Sequence, residues 1–130
     1  MFSSNSFAFV DVLDKGADAS YVRQTVLAQN IANVDTPFYK RSEVEFSEIL
    51  KRELLNTNKR DVTGAVKAVD KSRLAPRVFE DMKDYSYRID KNNVDVDTEN
   101  VEIASEQLRY QAITTMVSNS FARFNVVTNS

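Results

Sequence analysis

The chain contains neither histidine nor cysteine, so any chemistry it performs must run on carboxylates, lysines or tyrosines. Losing those two residue types removes the commonest nucleophile, the commonest general base near neutral pH and most transition-metal ligands. The nearest approach to a metal site is Asp95-Val96-Asp97-Thr98-Glu99-Asn100 with Glu106, which puts carboxylates at positions 1, 3, 5 and 12 of a calcium loop. Position 6 of such a loop makes a sharp turn and takes glycine, where this chain has Asn100; position 8, normally apolar, is Glu102. Calcium binding is therefore not expected, and helix capping accounts for the same acids. Glu43 with Glu45, and Glu99 with Glu102, are carboxylate pairs, but hydrolytic acid–base work needs two carboxyls facing across a cleft. Gly16 and Gly64 are the only glycines, which rules out a glycine-rich phosphate loop. The chain reads as a non-enzyme with no cofactor, no metal and no small-molecule substrate.

These acids must be positioned by two long helices. Val10, Leu13, Ala17, Ser20, Leu27, Ile31 and Val34 follow alternating steps of three and four, broken only at Gln24. A helix from about residue 7 to about residue 34 would be roughly 42 Å long. Asn30 and Asn33 bring amide groups to the place where a helix end leaves carbonyls unpaired, and Pro37 pushes Thr36 out of the α region. A second helix is expected from near Asp97 to about Val127, with Asp95, Asp97, Glu99 and Glu102 crowding its first turns. Its apolar positions form two sets: Val101, Ala104, Leu108 and Ala112 on one side, and Tyr110, Ile113, Val117, Phe121 and Phe124 on another. One partner helix cannot cover both, so the second set to be filled calls for an oligomer. The spacing of the aromatics is what packing alone would produce, and it does not argue for a ligand pocket.

The 130 residues fit one domain, divided as residues 1–50 with the first helix and its closing turn, 51–92 as a linker or small accessory lobe, and 93–130 with the last helix. Residues 1–50 carry 4 basic and 7 acidic side chains, residues 51–91 carry 11 and 7, and residues 92–130 carry 2 and 5. The middle is basic and the ends acidic, an arrangement that would let the middle of one copy meet the ends of another, or simply be solvated surface. A net charge of −2 with no long block of one sign argues against nucleic acid as partner. Within the middle, Val62, Val66 and Val69 stand among polar residues and promise little buried area, and Tyr85-Ser86-Tyr87-Arg88-Ile89-Asp90 alternates like a short strand. The start lacks a basic region, Phe7-Ala8-Phe9-Val10 is too short for a signal-peptide core, and no stretch approaches the roughly 18 apolar residues of a membrane span. Composition by itself reads as cytoplasmic.

Two segments carry a family resemblance. Arg23-Gln24-Thr25-Val26-Leu27-Ala28-Gln29-Asn30-Ile31-Ala32-Asn33, followed by Thr36-Pro37 and Tyr39-Lys40, is similar to the Asn-x-Ala-Asn…Thr-x-Gly-Tyr-Lys signature of rod and hook subunits. Glu106-Gln107-Leu108-Arg109-Tyr110-Gln111-Ala112 is similar to the C-terminal helix of proximal rod subunits, where other rod and hook proteins usually carry an Ala-Gln-Arg-Ala-Tyr type of segment. The chain thus resembles bacterial flagellar basal-body rod proteins, the proximal rod in particular, over about residues 1–50 and 93–128. The resemblance implies a mostly α fold whose two long terminal helices pair as an antiparallel, coiled-coil-like hairpin around an irregular or partly β middle. It also implies an assembly motif at Asn30, Ile31, Ala32, Asn33, Thr36, Pro37 and Tyr39, and packing through the C-terminal helix. Implied partners are other copies of the chain, neighbouring rod proteins such as FlgC, the FliE junction protein, the inner-membrane ring and the flagellar export gate. Export would proceed without a cleaved signal peptide, which overrides the cytoplasmic reading; Phe46 and Leu50 resemble an apolar export signal or form one buried turn of helix. The rival reading is a helical export adaptor or chaperone that binds a partner helix without polymerising. Phe38 stands where the family has glycine, so either the turn is built differently or Phe38 is extended and adds an apolar contact.

Overall fold

The computed structural model describes residues 4–81 and 94–129, with side chains from Phe7 onward. In chain order the elements are α1 (Ser4–Ala32), β1 (Ser42–Glu45), α2 (Ser47–Asn56), α3 (Val62–Ala68), a 3-10 turn (Lys71–Arg73), β2 (Arg77–Glu80) and α4 (Val96–Thr128). The molecule is mostly helical, and the long α1 and α4 pack on each other as an antiparallel pair, as expected. The order of contacts shows the direction: Phe7 meets Phe124 edge to face at 5.8 Å between ring centres, Gly16 faces Ile113, Ser20 faces Glu106, and Asn30 faces Glu99.

Local chemistry sets the helix ends. Asp95 caps α4, its carboxylate accepting from the backbone N–H groups of Asp97 at 3.1 Å and Thr98 at 3.4 Å, two of the donors a helix start leaves unpaired. At the end of α1 the Asn33 side-chain amide donates to the Gln29 carbonyl at 2.8 Å and its backbone N–H reaches the same oxygen at 3.1 Å. Thr36 donates through its hydroxyl to Asn33 Oδ1 at 3.2 Å, and the chain then turns through Pro37 and Phe38 toward β1. Asp61 caps α3 in the same way, and its carboxylate sits so close to Gly64 that a Cβ there would lie 2.8 Å from Oδ1, which explains the glycine.

β1 and β2 form a two-stranded antiparallel ladder, Ser42 opposite Glu80 and Glu45 opposite Arg77, laid against α1. Two strands of four residues gain too little by pairing to stand alone, and the ladder depends on the helix beneath it. The core lies where the second half of α1 meets this ladder, α3 and the 3-10 turn. Leu27, Val26, Val44, Val66, Val69 and Leu74 are all buried. The expectation that the middle buries little apolar surface fails for residues 51–81, because α3 docks on α1 and buries Ala65 and Val66, and the chain leaving it buries Val69 and Leu74. The alternating segment Tyr85–Asp90 lies outside the described residues. None of the described helices is long and apolar enough to cross a membrane.

Candidate functional site

The buried residues of α4 between Val96 and Thr128 are two glutamates, Glu99 and Glu106, each only 1% exposed. They are seven residues apart and so fall on one face, in the same row as Tyr110, Ile113, Val117 and Phe124. A lone buried carboxylate would cost several kcal/mol, and here each is met by a guanidinium. Arg23, on α1, donates through Nη1 to Glu106 Oε1 at 2.6 Å, through Nη2 to Glu102 Oε2 at 2.5 Å and through Nε to Glu43 Oε1 at 2.9 Å. Arg41, just before β1, donates to Glu99 Oε1 at 2.6 Å, Asp81 Oδ2 at 3.1 Å and Glu43 Oε2 at 3.2 Å. Glu43 therefore bridges both arginines, and the cluster ties α1, β1, the residue after β2 and α4 into one clasp.

Neutral groups complete it. Ser20 donates to Glu106 Oε2 at 2.7 Å. Asn30, fully buried, donates to the Ser42 carbonyl at 2.8 Å and Glu99 Oε2 at 3.2 Å, while its Oδ1 accepts from the Ser42 N–H at 2.9 Å and the Tyr39 hydroxyl at 3.1 Å. The expectation that Asn30 serves the end of its own helix is corrected: Asn33 does that, and Asn30 instead plugs the outer edge of β1. Burial works against charge on Arg23 and Arg41, but the carboxylates around them reverse this and hold both pKa values above the ordinary arginine value. Burial likewise opposes ionisation of Glu43, and the Arg23 hydrogen bond outweighs it, leaving its pKa lowered. Burial and then the charge of Glu99 raise the Tyr39 pKa. Each guanidinium donates to three carboxylates on separate segments, so the cluster fastens the helices to the strand.

The carboxylates of the would-be calcium loop are thus divided between jobs. Asp95 caps α4, while Glu99 and Glu106 belong to separate arginines. The expectation that helix capping accounts for all of them is corrected for these two. Among the described residues no group of three or more acids, histidines or cysteines is arranged to hold a metal ion.

Of the other residues singled out in the sequence, Ile31 and Tyr39 are half-buried, whereas Ala32, Thr36 and Pro37 are exposed. Phe38 adopts φ 62° and is 68% exposed. Both expectations for it are corrected: the turn keeps the left-handed conformation that suits glycine, and the ring adds no apolar contact that buries it. On α4, Tyr110, Ile113, Val117 and Phe124 are half-buried on the side of α1, Phe121 is half-exposed, and Leu108 and Ala112 face away and are exposed. Phe46 and Leu50 are half-buried and line an open groove of about 790 Å³ with Leu13, Phe79 and Ile113. Sequence reasoning missed Arg41 and the pairing role of Arg23. The signal available was a glutamate at two successive seam positions of α4, seven residues apart, where an apolar residue belongs.

Comparison with known proteins decides what this fastened hairpin is. No protein-family model matches the chain. Flagellar basal body rod protein FlgB of Borreliella burgdorferi is 32% identical over 127 residues, covering 91% of this chain and 93% of that protein. FlgB of Bacillus subtilis is 32% identical over 120 residues, 88% of each chain. FlgB of Salmonella typhimurium is 32% identical over 114 residues, 81% of this chain and 82% of that one. The chain belongs to the FlgB family of flagellar basal body rod proteins. As a member of that family it is a structural component of the flagellar rod, located in the basal body. Alignment with FlgB over most of both lengths takes in the middle segment as well as the two ends.

Proposed function

We propose that the chain is a proximal rod subunit that polymerises through its terminal helices, so that interlocked copies act as drive shaft and surround an export channel. The observation that carries this reading is the outer face of α4. Val101 is 70% exposed and Leu108 68% exposed, and Ala104 and Ala112 beside them are exposed too, on a helix whose opposite face is already engaged by α1. An apolar stripe of this length costs solubility unless something covers it. Neighbouring copies, FlgC, the FliE junction protein and the inner-membrane ring are the surfaces that would do so. Asn30, Asn33 and Tyr39 act in this reading by fixing the turn after α1, and Thr36 and Pro37 present its exposed edge to a neighbour. Passage through the export gate without a cleaved signal peptide belongs to the same proposal, with Phe46 and Leu50 as the apolar signal, accessible once the groove around them opens.

The test is Leu108→Asp. Placed on an exposed position, the new carboxylate should leave the isolated chain folded within about 0.5 kcal/mol of the original. Desolvated between subunits it should block assembly, giving cells that export the protein but build no filament. Normal swimming would remove this stripe from any interface.

A further inference from the structure

The proposed polymer also needs contacts that set the order of copies, and the charges left over by the fold point to one. Asp11, Asp14 and Asp18 are exposed, spaced by three and four on the face of α1 turned away from α4. Lys59 and Arg60 just before α3, and Lys67 in its last turn, are exposed as well. None of these six side chains enters an ion pair among the described residues, whereas the arginines at positions 23, 41, 52, 73, 77 and 109 pair with acids.

We infer that the basic α3 patch of one copy docks on the acidic face of α1 of a second copy. A net charge of −2 gives the whole chain no general attraction to an anionic membrane or nucleic acid, whereas every other copy presents the complementary row of carboxylates. The two patches differ, so the contact is head to tail; each copy engaged through α3 still offers its own α1, and the contact propagates instead of closing on a pair. Opposite charges at this rim set the order and rate of docking, while the apolar outer stripe of α4 supplies adhesion. This inference rests on the proposed rod assembly and specifies one of its contacts.

The absence of native cysteine gives a clean test. Two full-length variants, Asp14→Cys and Arg60→Cys, are produced together in cells that lack the native copy, and treated with a short bismaleimide. Cross-linked dimers are expected from the mixture and from neither variant alone. If basal bodies contain the protein yet the mixture gives no dimer, this contact is wrong and the rod reading stands; if the native chain is absent from purified basal bodies, the rod reading itself fails. Charge reversal supplies the second arm. Asp14→Lys with Asp18→Lys should lower the yield of rod-containing basal bodies about tenfold or more through like-charge contact, and adding Arg60→Glu with Lys67→Glu should restore it. Full assembly of the first variant, or failure of the second pair to restore it, overturns the inference. So does binding of the basic patch to anionic phosphatidylglycerol vesicles without any cross-link between copies.

Discussion

The two halves of the α1–α4 seam are held by different forces. Toward the free end of the hairpin, Phe7, Gly16, Ile113 and Phe124 meet through apolar contact, with Phe7 still 48% exposed. Toward the other end, Ser20, Arg23 and Asn30 of α1 face Glu99, Glu102 and Glu106 of α4 in a part-buried ionic cluster. Apolar contact is indifferent to a slide of one heptad, because one aliphatic seam residue replaces another. Charged rungs are not: a slide that carried Glu106 to the level of Leu13 would bring Glu99 to Arg23 but strip Asn30 and Arg41 of Glu99. The apolar half gives adhesion and the charged half gives register, a use of buried charge that is well attested in helical pairs.

The comparison breaks most directly at Arg23. Arg23→Ala takes one guanidinium from Glu43, Glu102 and Glu106 at once, leaving Glu43 to Arg41 and buried Glu106 to Ser20 and Arg109, and should cost about 3 kcal/mol, read as a fall in the urea midpoint. Ile113→Ala at the apolar half, beside the open Gly16, should cost about 1–2 kcal/mol, since only part of the side chain is buried. Equal costs would mean that the clasp is ordinary surface charge.

Acid sharpens the contrast. The Glu43 carboxyl titrates below the ordinary glutamate range in the folded chain, so its share of stability is complete above the unfolded pKa and is lost as pH falls through the folded pKa. Between the two values the unfolded state binds more protons, and stability rises with pH. Glu43→Gln should flatten that part of the acid-unfolding curve, while Ile113→Ala should lower the curve without changing its shape. A Glu43→Gln curve parallel to the original would remove Glu43 from the linkage.

The smallest expected effect is at the turn that leads into the clasp. Phe38 holds φ 62° with no burial in return, so Phe38→Gly should relieve about 1 kcal/mol of backbone strain, less the entropy that glycine adds to the unfolded chain. A small rise in thermal midpoint is the expected outcome, and a fall of similar size would show that the ring packs in solution.

Both long helices were legible in the sequence because their spacing repeats over many turns and Asp95 marks the start of α4 with a local bond. The clasp was not, because a glutamate in a helix reads as surface until its partner is known, and Arg23 and Glu106 are 83 residues apart. Nor was the ladder of β1 and β2, whose four-residue strands are too short to display a period and whose pairing joins positions 35 or so apart. In the middle, Val66 and Val69 were read as isolated among polar neighbours; what buries them is α1, which the local sequence does not contain. The Phe38 turn kept its left-handed shape without its glycine, because Asn30, Ser42 and Tyr39 fix the chain on either side of it.

The central claim is that α4 has an inner face for its own subunit and an outer face for assembly, and one paired measurement tests it: thermal unfolding of purified Val117→Asp and Leu108→Asp, each scored also for swimming. Val117 is half-buried on the side of α1, so Val117→Asp should destabilise the isolated chain by about 2 kcal/mol or more, while Leu108→Asp unfolds like the original and yet leaves cells non-motile. Equal unfolding temperatures for the two variants, or a swimming Leu108→Asp strain, would contradict that division of the helix.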